Sequence, residues 1–143
     1  LKRLYVLTTS MTASSSEIII NCLRPYMEVI VVGDKTEGKN VGSLAYSSKE
    51  LQLIMRPIVC KIYNANHESE YSDGFKADVS VKESSNLARF LPFGDTNELL
   101  LGTTLGLIGG DNMEEAPETR SSSHFQLVEN SLQHRAAGSV WID

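Results

Sequence analysis

Ser14 and Lys39 are the two residues whose types and surroundings could carry out nucleophilic chemistry. A serine hydroxyl attacks a carbonyl readily only when a base removes its proton, and a lysine can be that base only when its amine is held neutral. Ser-Lys pairs of this kind are a known variant of the Ser-His-Asp arrangement. The two residues therefore indicate hydrolysis by a serine nucleophile, provided that the fold brings them together.

A helix is predicted to begin at the serine cluster. Ser14 and Glu17 fit the S-x-x-E capping box, an apolar run follows, and Pro25 forbids continuation, so we predict a helix over residues 14–23. The first N–H groups of a helix have no intrahelical acceptor and lie at the positive end of its dipole. This helix start would therefore suit an oxyanion.

Two short apolar runs predict the strands on either side of that helix. Residues 4–8 lead into the serine cluster, and residues 28–33 (E-V-I-V-V-G) are β-branched and apolar, as a buried strand is. The second run leads to Lys39. Strand, helix and strand in this order predict a right-handed β-α-β unit with a parallel sheet.

Two segments of this region resemble the catalytic segment of the tail-specific, or C-terminal processing, serine peptidases of family S41. They read A-S-S-S-E-I-I and I-V-V-G-D-K-T-E-G-K, against a family pattern of A-S-A-S-E-I and V-G-x-x-T-x-G-K, with no gap needed. By this resemblance Ser14 is the nucleophile, Lys39 is the general base, and the backbone N–H of Ser15 is an oxyanion donor. Ser15 and Ser16 are the nearby alternatives for the nucleophile, but only Ser14 keeps the family register.

Later stretches extend the resemblance over about the first three quarters of the chain. Residues 74–78 (G-F-K-A-D) resemble the family's G-x-x-P-D, and residues 91–95 (L-P-F-G-D) resemble its L-G-D. Ser43 departs from the family, which often has a glutamine there to hold the lysine amine; a serine hydroxyl would have to orient Lys39 instead. The family's earlier strands, a glycine that supplies another oxyanion N–H, and a PDZ-like domain do not precede Leu1. We expect the chain to be the C-terminal part of a larger peptidase.

The resemblance implies an α/β fold with part of a crotonase-like or ClpP-like β-α-β core. The residues add a β-hairpin from residues 41–48 and 51–63, and a C-terminal helix capped by Thr96 or Asn97 that runs to about residue 108. Three parts are expected: residues 1–110 as the C-terminal part of the catalytic domain, residues 111–123 as an acidic, Ser-rich linker, and residues 124–143 as terminal strands that pack on the same domain.

Composition excludes several other classes of protein. The 143 residues are 41% hydrophobic with a net charge of -5, so they carry no basic footprint for nucleic acid. No apolar run approaches the ~20 residues of a membrane span. Cys22 and Cys60 form no metal or redox spacing and are expected to be buried small hydrophobic residues without a disulfide.

The combined interpretation is a Ser-Lys endopeptidase that needs no metal and no organic cofactor. By resemblance it cuts proteins or peptides near their C-termini in the bacterial periplasm or cell envelope, and its partners are upstream strands and a PDZ-like domain of the same chain; homo-oligomer formation stays open. Two alternatives remain. One is an inactive, peptide-binding relative, and the other is a P-loop-like nucleotide binder, because residues 33–40 read G-D-K-T-E-G-K-N.

Overall fold

The computed structural model describes residues 1–83 and 91–110, which form seven strands and two helices. In chain order the elements are β1 (Arg3–Thr8), α1 (Ser15–Leu23), β2 (Glu28–Gly33), β3 (Val41–Ser43), β4 (Tyr46–Ser48), β5 (Leu53–Met55), β6 (Ile58–Lys61), β7 (Val79–Ser80) and α2 (Leu99–Gly109). The predicted strands and helix at the start of the chain are therefore present, within one residue of the expected ends.

A parallel sheet with the order β1-β2-β7 positions the start of the chain. Thr8, the last residue of β1, lies opposite Gly33, the last residue of β2. The β-α-β unit is confirmed. Since parallel strands end at the same edge of a sheet, the segments that follow Thr8 and Gly33 leave the sheet side by side. These are the segments that contain Ser14 and Lys39. The relation of this core to the crotonase-like or ClpP-like fold stays a prediction.

The hydrophobic core lies between the sheet, α1 and the segment before β7. Ile20 from α1 packs with two strand residues, Val29 and Val31, and with the stacked rings of Tyr71 and Phe75, whose centroids are 4.8 Å apart. All five are at most 8% exposed. Complete burial of such a side chain contributes about 1.5–3 kcal/mol. The core therefore fixes α1 against the segment around residues 71–75.

The predicted hairpin is present as two short antiparallel pairs, β3 with β6 and β4 with β5. Residues 44–45 separate the pairs on one side, and Pro57 lies between β5 and β6 on the other. Pro57 donates no hydrogen bond, which suits such a break. The β3–β6 pair itself has a register shift between Gly42 and Ser43. Cys60 corrects a prediction: it lies exposed on β6, because this two-stranded pair leaves most of its side chains in solvent.

Helix α2 differs from its prediction at its first residues. Its N-cap is Glu98, not Thr96 or Asn97, and the Glu98 carboxylate accepts the N–H groups of the second and third helical residues at 2.9 and 2.8 Å. A charged carboxylate suits this position because it faces the positive end of the helix dipole. Gly110, in the left-handed conformation with φ 82°, is the C-cap, so the helix ends at Gly109, one residue beyond the predicted end.

Several predictions concern residues outside the described ranges 1–83 and 91–110. The linker at residues 111–123 and the terminal strands at residues 124–143 lie outside the described residues. Within residues 1–83 and 91–110, no helix has the length and apolar character needed to cross a bilayer. Cys22 is half-buried, and both cysteines are free thiols.

Candidate active site

Ser14 stands directly before α1 in an unusual backbone conformation. It is the N-cap residue of the helix, with φ 55° and ψ -115°, and it is half-buried. A positive φ is uncommon for a residue other than glycine, and a strained backbone of this kind costs about 1–3 kcal/mol. Hydrolases of another fold place their serine nucleophile at a similarly strained strand-to-helix turn. Sequence reasoning missed this feature, because no G-x-S-x-G motif marks it.

Ser15 offers a backbone donor beside Ser14. Its N–H has no acceptor within residues 1–83 and 91–110, and the residue is exposed. The next N–H, that of Ser16, donates to the carbonyl of Ala13 at 3.2 Å. The Ser15 N–H thus has no protein acceptor among the described residues, and its role as an oxyanion donor stays a prediction.

Hydrogen bonds tie the segment before Ser14 to the segment before Lys39. Thr8 Oγ1 donates to the carbonyl of Asp34 at 2.7 Å, and the Asp34 N–H donates to the carbonyl of Thr8 at 3.0 Å. Farther along, the Glu37 N–H donates to the carbonyl of Thr12 at 2.9 Å. The two segments therefore run together from the sheet edge to the candidate site.

Glu17 is the residue at which these segments converge. Its carboxylate is fully buried and accepts four hydrogen bonds. Oε2 accepts the N–H groups of Ser14 and Lys39 at 2.9 and 2.7 Å, and Oε1 accepts the Gly38 N–H at 2.7 Å and the Thr36 hydroxyl at 2.6 Å. One carboxylate oxygen thus joins the backbones of the candidate nucleophile and the candidate base. The sequence revealed Glu17 only as part of a capping box.

A second loop supports the segment before Lys39 from behind. Thr36 Oγ1 accepts the Phe75 N–H at 2.8 Å, and the Thr36 N–H donates to the carbonyl of Phe75 at 3.0 Å. A Cβ atom on Gly74 would lie 1.9 Å from the carbonyl oxygen of Thr36, and one on Gly38 would lie 2.3 Å from that of Ser72. Glycine at both positions allows the two loops to approach this closely.

The side chains of the proposed dyad are not joined in this chain. Lys39 is exposed, and within the described residues no hydrogen bond joins Ser14 Oγ to Lys39 Nζ. Ser43 is exposed on β3, opposite Ile58, and makes no side-chain hydrogen bond to Lys39. The structure thus places the backbones of Ser14 and Lys39 together. The roles of Ser14, Lys39, Ser15 and Ser43 stay predictions.

The surroundings of Lys39 do not support the nucleotide-binding alternative. A P-loop lysine opens a helix, whereas here the strand β3 begins at Val41, two residues after Lys39.

In the part of the chain that the structure describes, no group of three or more His, Cys, Asp or Glu residues could hold a metal ion.

Comparison with known proteins agrees with this geometry. The chain is similar to a crystal structure of a candidate S41 protease from Bacteroides fragilis NCTC 9343, with a TM-score of 0.73 and 41% identity. That match covers 76% of this chain but 28% of the other, so this chain spans about a quarter of that protein's length. No curated protein matches the chain. The family model for peptidase family S41 matches residues 1–81, a range that includes Ser14, Glu17 and Lys39. The chain belongs to peptidase family S41.

Proposed function

We propose that this chain carries the nucleophile and the general base of a Ser-Lys serine peptidase, with Ser14 as the nucleophile and Lys39 as the base. The observation that supports this most directly is the convergence of the Ser14 and Lys39 N–H groups on Oε2 of Glu17. Since both backbones are bound to one atom, the two side chains start from neighbouring points.

In the proposed reaction, the neutral amine of Lys39 takes the proton from Ser14 Oγ. The oxygen attacks the peptide carbonyl, and the N–H of Ser15 donates a hydrogen bond to the oxyanion that forms. The lysine then gives its proton to the leaving amine. Water hydrolyses the acyl-enzyme with Lys39 again as the base. The strained conformation of Ser14 supports this assignment, because such strain is concentrated at functional sites.

The exposure of Lys39 requires a further element in this proposal. A lysine is neutral near pH 7 only in surroundings that disfavour its charged form. We propose that other parts of the enzyme cover the Lys39 amine, since this chain matches only 28% of its structural relative. Upstream strands and a PDZ-like domain, as in the tail-specific peptidases, are the proposed source of this cover.

The remaining features of the proposal come from the same resemblance. The proposed substrates are proteins or peptides cut near their C-termini, and the proposed compartment is the bacterial periplasm or cell envelope. The similarity to tail-specific peptidases supports these points, as it supports the assignment to a crotonase-like or ClpP-like core.

A second candidate function is peptide binding without catalysis. The exposed Lys39 amine and the exposed Ser43, at the position where the family often has glutamine, favour this alternative. It retains the fold and the loops around Glu17 but makes no use of the Ser14 hydroxyl as a nucleophile.

Labelling with a serine-directed fluorophosphonate distinguishes the two functions. The full-length protein and its Ser14→Ala and Lys39→Ala variants are treated with the reagent, and the adduct is located by mass spectrometry; cleavage of an unfolded protein is followed in parallel. We expect wild type and the control Ser16→Ala to be labelled at Ser14 and to cleave the substrate. Ser14→Ala should lose both activities, and Lys39→Ala should fall to a slow residual rate of labelling. Wild-type protein that binds peptides but is neither labelled nor active would favour the second candidate.

A further inference from the structure

Asn40, the residue after Lys39, is buried although it is polar. It is 8% exposed, and its Nδ2 donates to the carbonyl oxygen of Ser69 at 2.7 Å and to the Ser69 hydroxyl at 3.4 Å. Ser69 itself is fully buried. A buried amide with these partners is expensive to replace, because its removal leaves the buried Ser69 carbonyl with one hydrogen bond fewer. The mechanism proposed above makes no use of it.

The backbone on both sides of Lys39 is held in place. On the N-terminal side of its Cα atom, the N–H of Lys39 donates to Oε2 of Glu17 at 2.7 Å. After it, the carbonyl of Asn40 accepts the Ile62 N–H at 2.9 Å, and the Asn40 side chain is bound to Ser69. The backbone of Lys39 is thus hydrogen-bonded at the residue itself and at the residue that follows. The Cα position of Lys39 then determines which points its amine can reach.

Ser69 belongs to a loop, residues 64–71, that is built around Asn64 and attached to α1. Asn64 Oδ1 accepts the Glu68 N–H at 2.9 Å, and the Tyr71 N–H donates to the Ser69 carbonyl at 2.9 Å. Two further bonds reach the helix: Asn21 Nδ2 donates to the carbonyl of Glu68 at 3.1 Å, and Asn64 Nδ2 donates to that of Asn21 at 3.3 Å. The loop thus connects the last turn of α1 to Asn40 through hydrogen bonds.

We propose that Asn40 is a positioning residue for the catalytic lysine: through Ser69 and the 64–71 loop it fixes the backbone of Lys39 relative to α1, and hence relative to Ser14. Glu17 provides one attachment near the start of the helix, and Asn40 provides the other by way of Asn21. This inference rests on the proposed function, because it has meaning only if Lys39 acts as a base.

Substitutions that remove the hydrogen bond from Asn40 to Ser69 test this role. Asn40→Asp has nearly the same shape, but it replaces the N–H donor with an oxygen that faces the Ser69 carbonyl, so the hydrogen bond becomes a repulsion. Asn40→Ala removes the contact altogether. Asn66→Asp is the matched control: Asn66 lies in the same loop, is exposed, and its side chain has no partner within the described ranges.

The experiment uses the full-length protein with two readouts, the rate at which a fluorophosphonate labels Ser14 and the steady-state cleavage of an unfolded protein. A displaced base slows proton transfer, and a misplacement of about 1 Å can cost about 100-fold in rate. We expect Asn40→Asp and Asn40→Ala to lower the labelling rate and kcat by about 10- to 100-fold with KM unchanged. Asn66→Asp should behave as wild type. In the Lys39→Ala background, Asn40→Asp should have no further effect, because Asn40 acts through the lysine.

The outcomes separate this inference from the function on which it rests. If wild type is not labelled at Ser14, or if Lys39→Ala is labelled as fast as wild type, the proposed function fails and this inference fails with it. If labelling depends on Lys39 but folded Asn40→Asp is labelled at the wild-type rate, this inference alone is wrong. An equal loss from Asn40→Asp with and without Lys39 would show a merely structural role. If Asn40→Ala does not fold, Asn40→Asp, close to wild type in shape, decides the result.

Discussion

Replacing Glu17 with glutamine would test whether one buried carboxylate holds the candidate site together. Glutamine keeps the length of the side chain, but its amide nitrogen cannot accept a hydrogen bond. Each oxygen of Glu17 accepts two donors, so either orientation of the amide turns its NH₂ group toward two of them. The less costly orientation turns the NH₂ group toward Thr36, whose hydroxyl can rotate and accept, and leaves Gly38 without its acceptor.

The magnitude follows from the hydrogen bonds that change. A hydrogen bond to a charged group contributes about 1.5–3 kcal/mol, and the substitution removes at least one such bond and makes the remaining ones neutral. A neutral amide is less expensive to bury than a carboxylate, which offsets part of this loss. We therefore expect Glu17→Gln to lower the free energy of unfolding by about 2–4 kcal/mol.

Urea denaturation of the full-length protein measures this loss, and Glu37→Gln is its matched control. Glu37 lies in the same segment, but it is exposed and its carboxylate has no partner within the described residues. We expect the unfolding midpoint of Glu17→Gln to fall well below that of wild type while Glu37→Gln stays close to it. Equal midpoints for the two variants would refute the idea that the Glu17 carboxylate joins these segments.

Three further changes test the packing and electrostatics of the described residues. Tyr71→Phe should raise the free energy of unfolding by about 1 kcal/mol in a denaturation experiment, because the buried Tyr71 hydroxyl has no hydrogen-bond partner in residues 1–83 and 91–110; a loss would reveal a partner. Burial, and secondarily the charge of Glu98, raises the pKa of Glu83 above its ordinary value of 4.5, so the native state binds this proton more tightly and stability falls as pH rises through that range. Glu83→Gln should therefore raise the melting temperature at pH 7 and much less at pH 4, and equal shifts at both would contradict this. Gly74→Ala should lower the melting temperature strongly, since its Cβ would lie 1.9 Å from the Thr36 carbonyl oxygen; an unchanged value would contradict the close approach of the loops.

The elements that the sequence predicted well are those determined by a local pattern. The strand β2 has the predicted ends, because a β-branched apolar run between polar residues allows few other readings. The N-cap of α2 was missed since Thr96, Asn97 and Glu98 could each cap a helix, and local preference ranks a carboxylate as long as that of Glu98 last. The exposure of Cys60 depends on what covers a two-stranded pair, which its own residues do not encode.

For the candidate site, spacing and resemblance identified Ser14 and Lys39, but not what holds them. A capping box reads the same whether its glutamate points into water or, like Glu17, is fully buried. The bond from Asn40 to Ser69 spans 29 positions and is set by the tertiary fold. Nor does a capping serine ordinarily adopt a positive φ, so the strain at Ser14 is visible only in three dimensions.

That backbone conformation implies a conflict between durability and activity at position 14. Glycine adopts a backbone conformation of φ 55° and ψ -115° at a much lower conformational energy than serine does, because it has no Cβ atom to clash. Where the hydroxyl has no function, replacing serine with glycine here would raise the stability of the protein. Enzymes often become more stable in the same way when a functional residue is replaced. The serine at position 14 therefore lowers the stability of the fold relative to glycine. A stability screen alone would select for the loss of this side chain, so a search for more stable variants of this protein has to measure the reactivity of position 14 alongside the melting temperature.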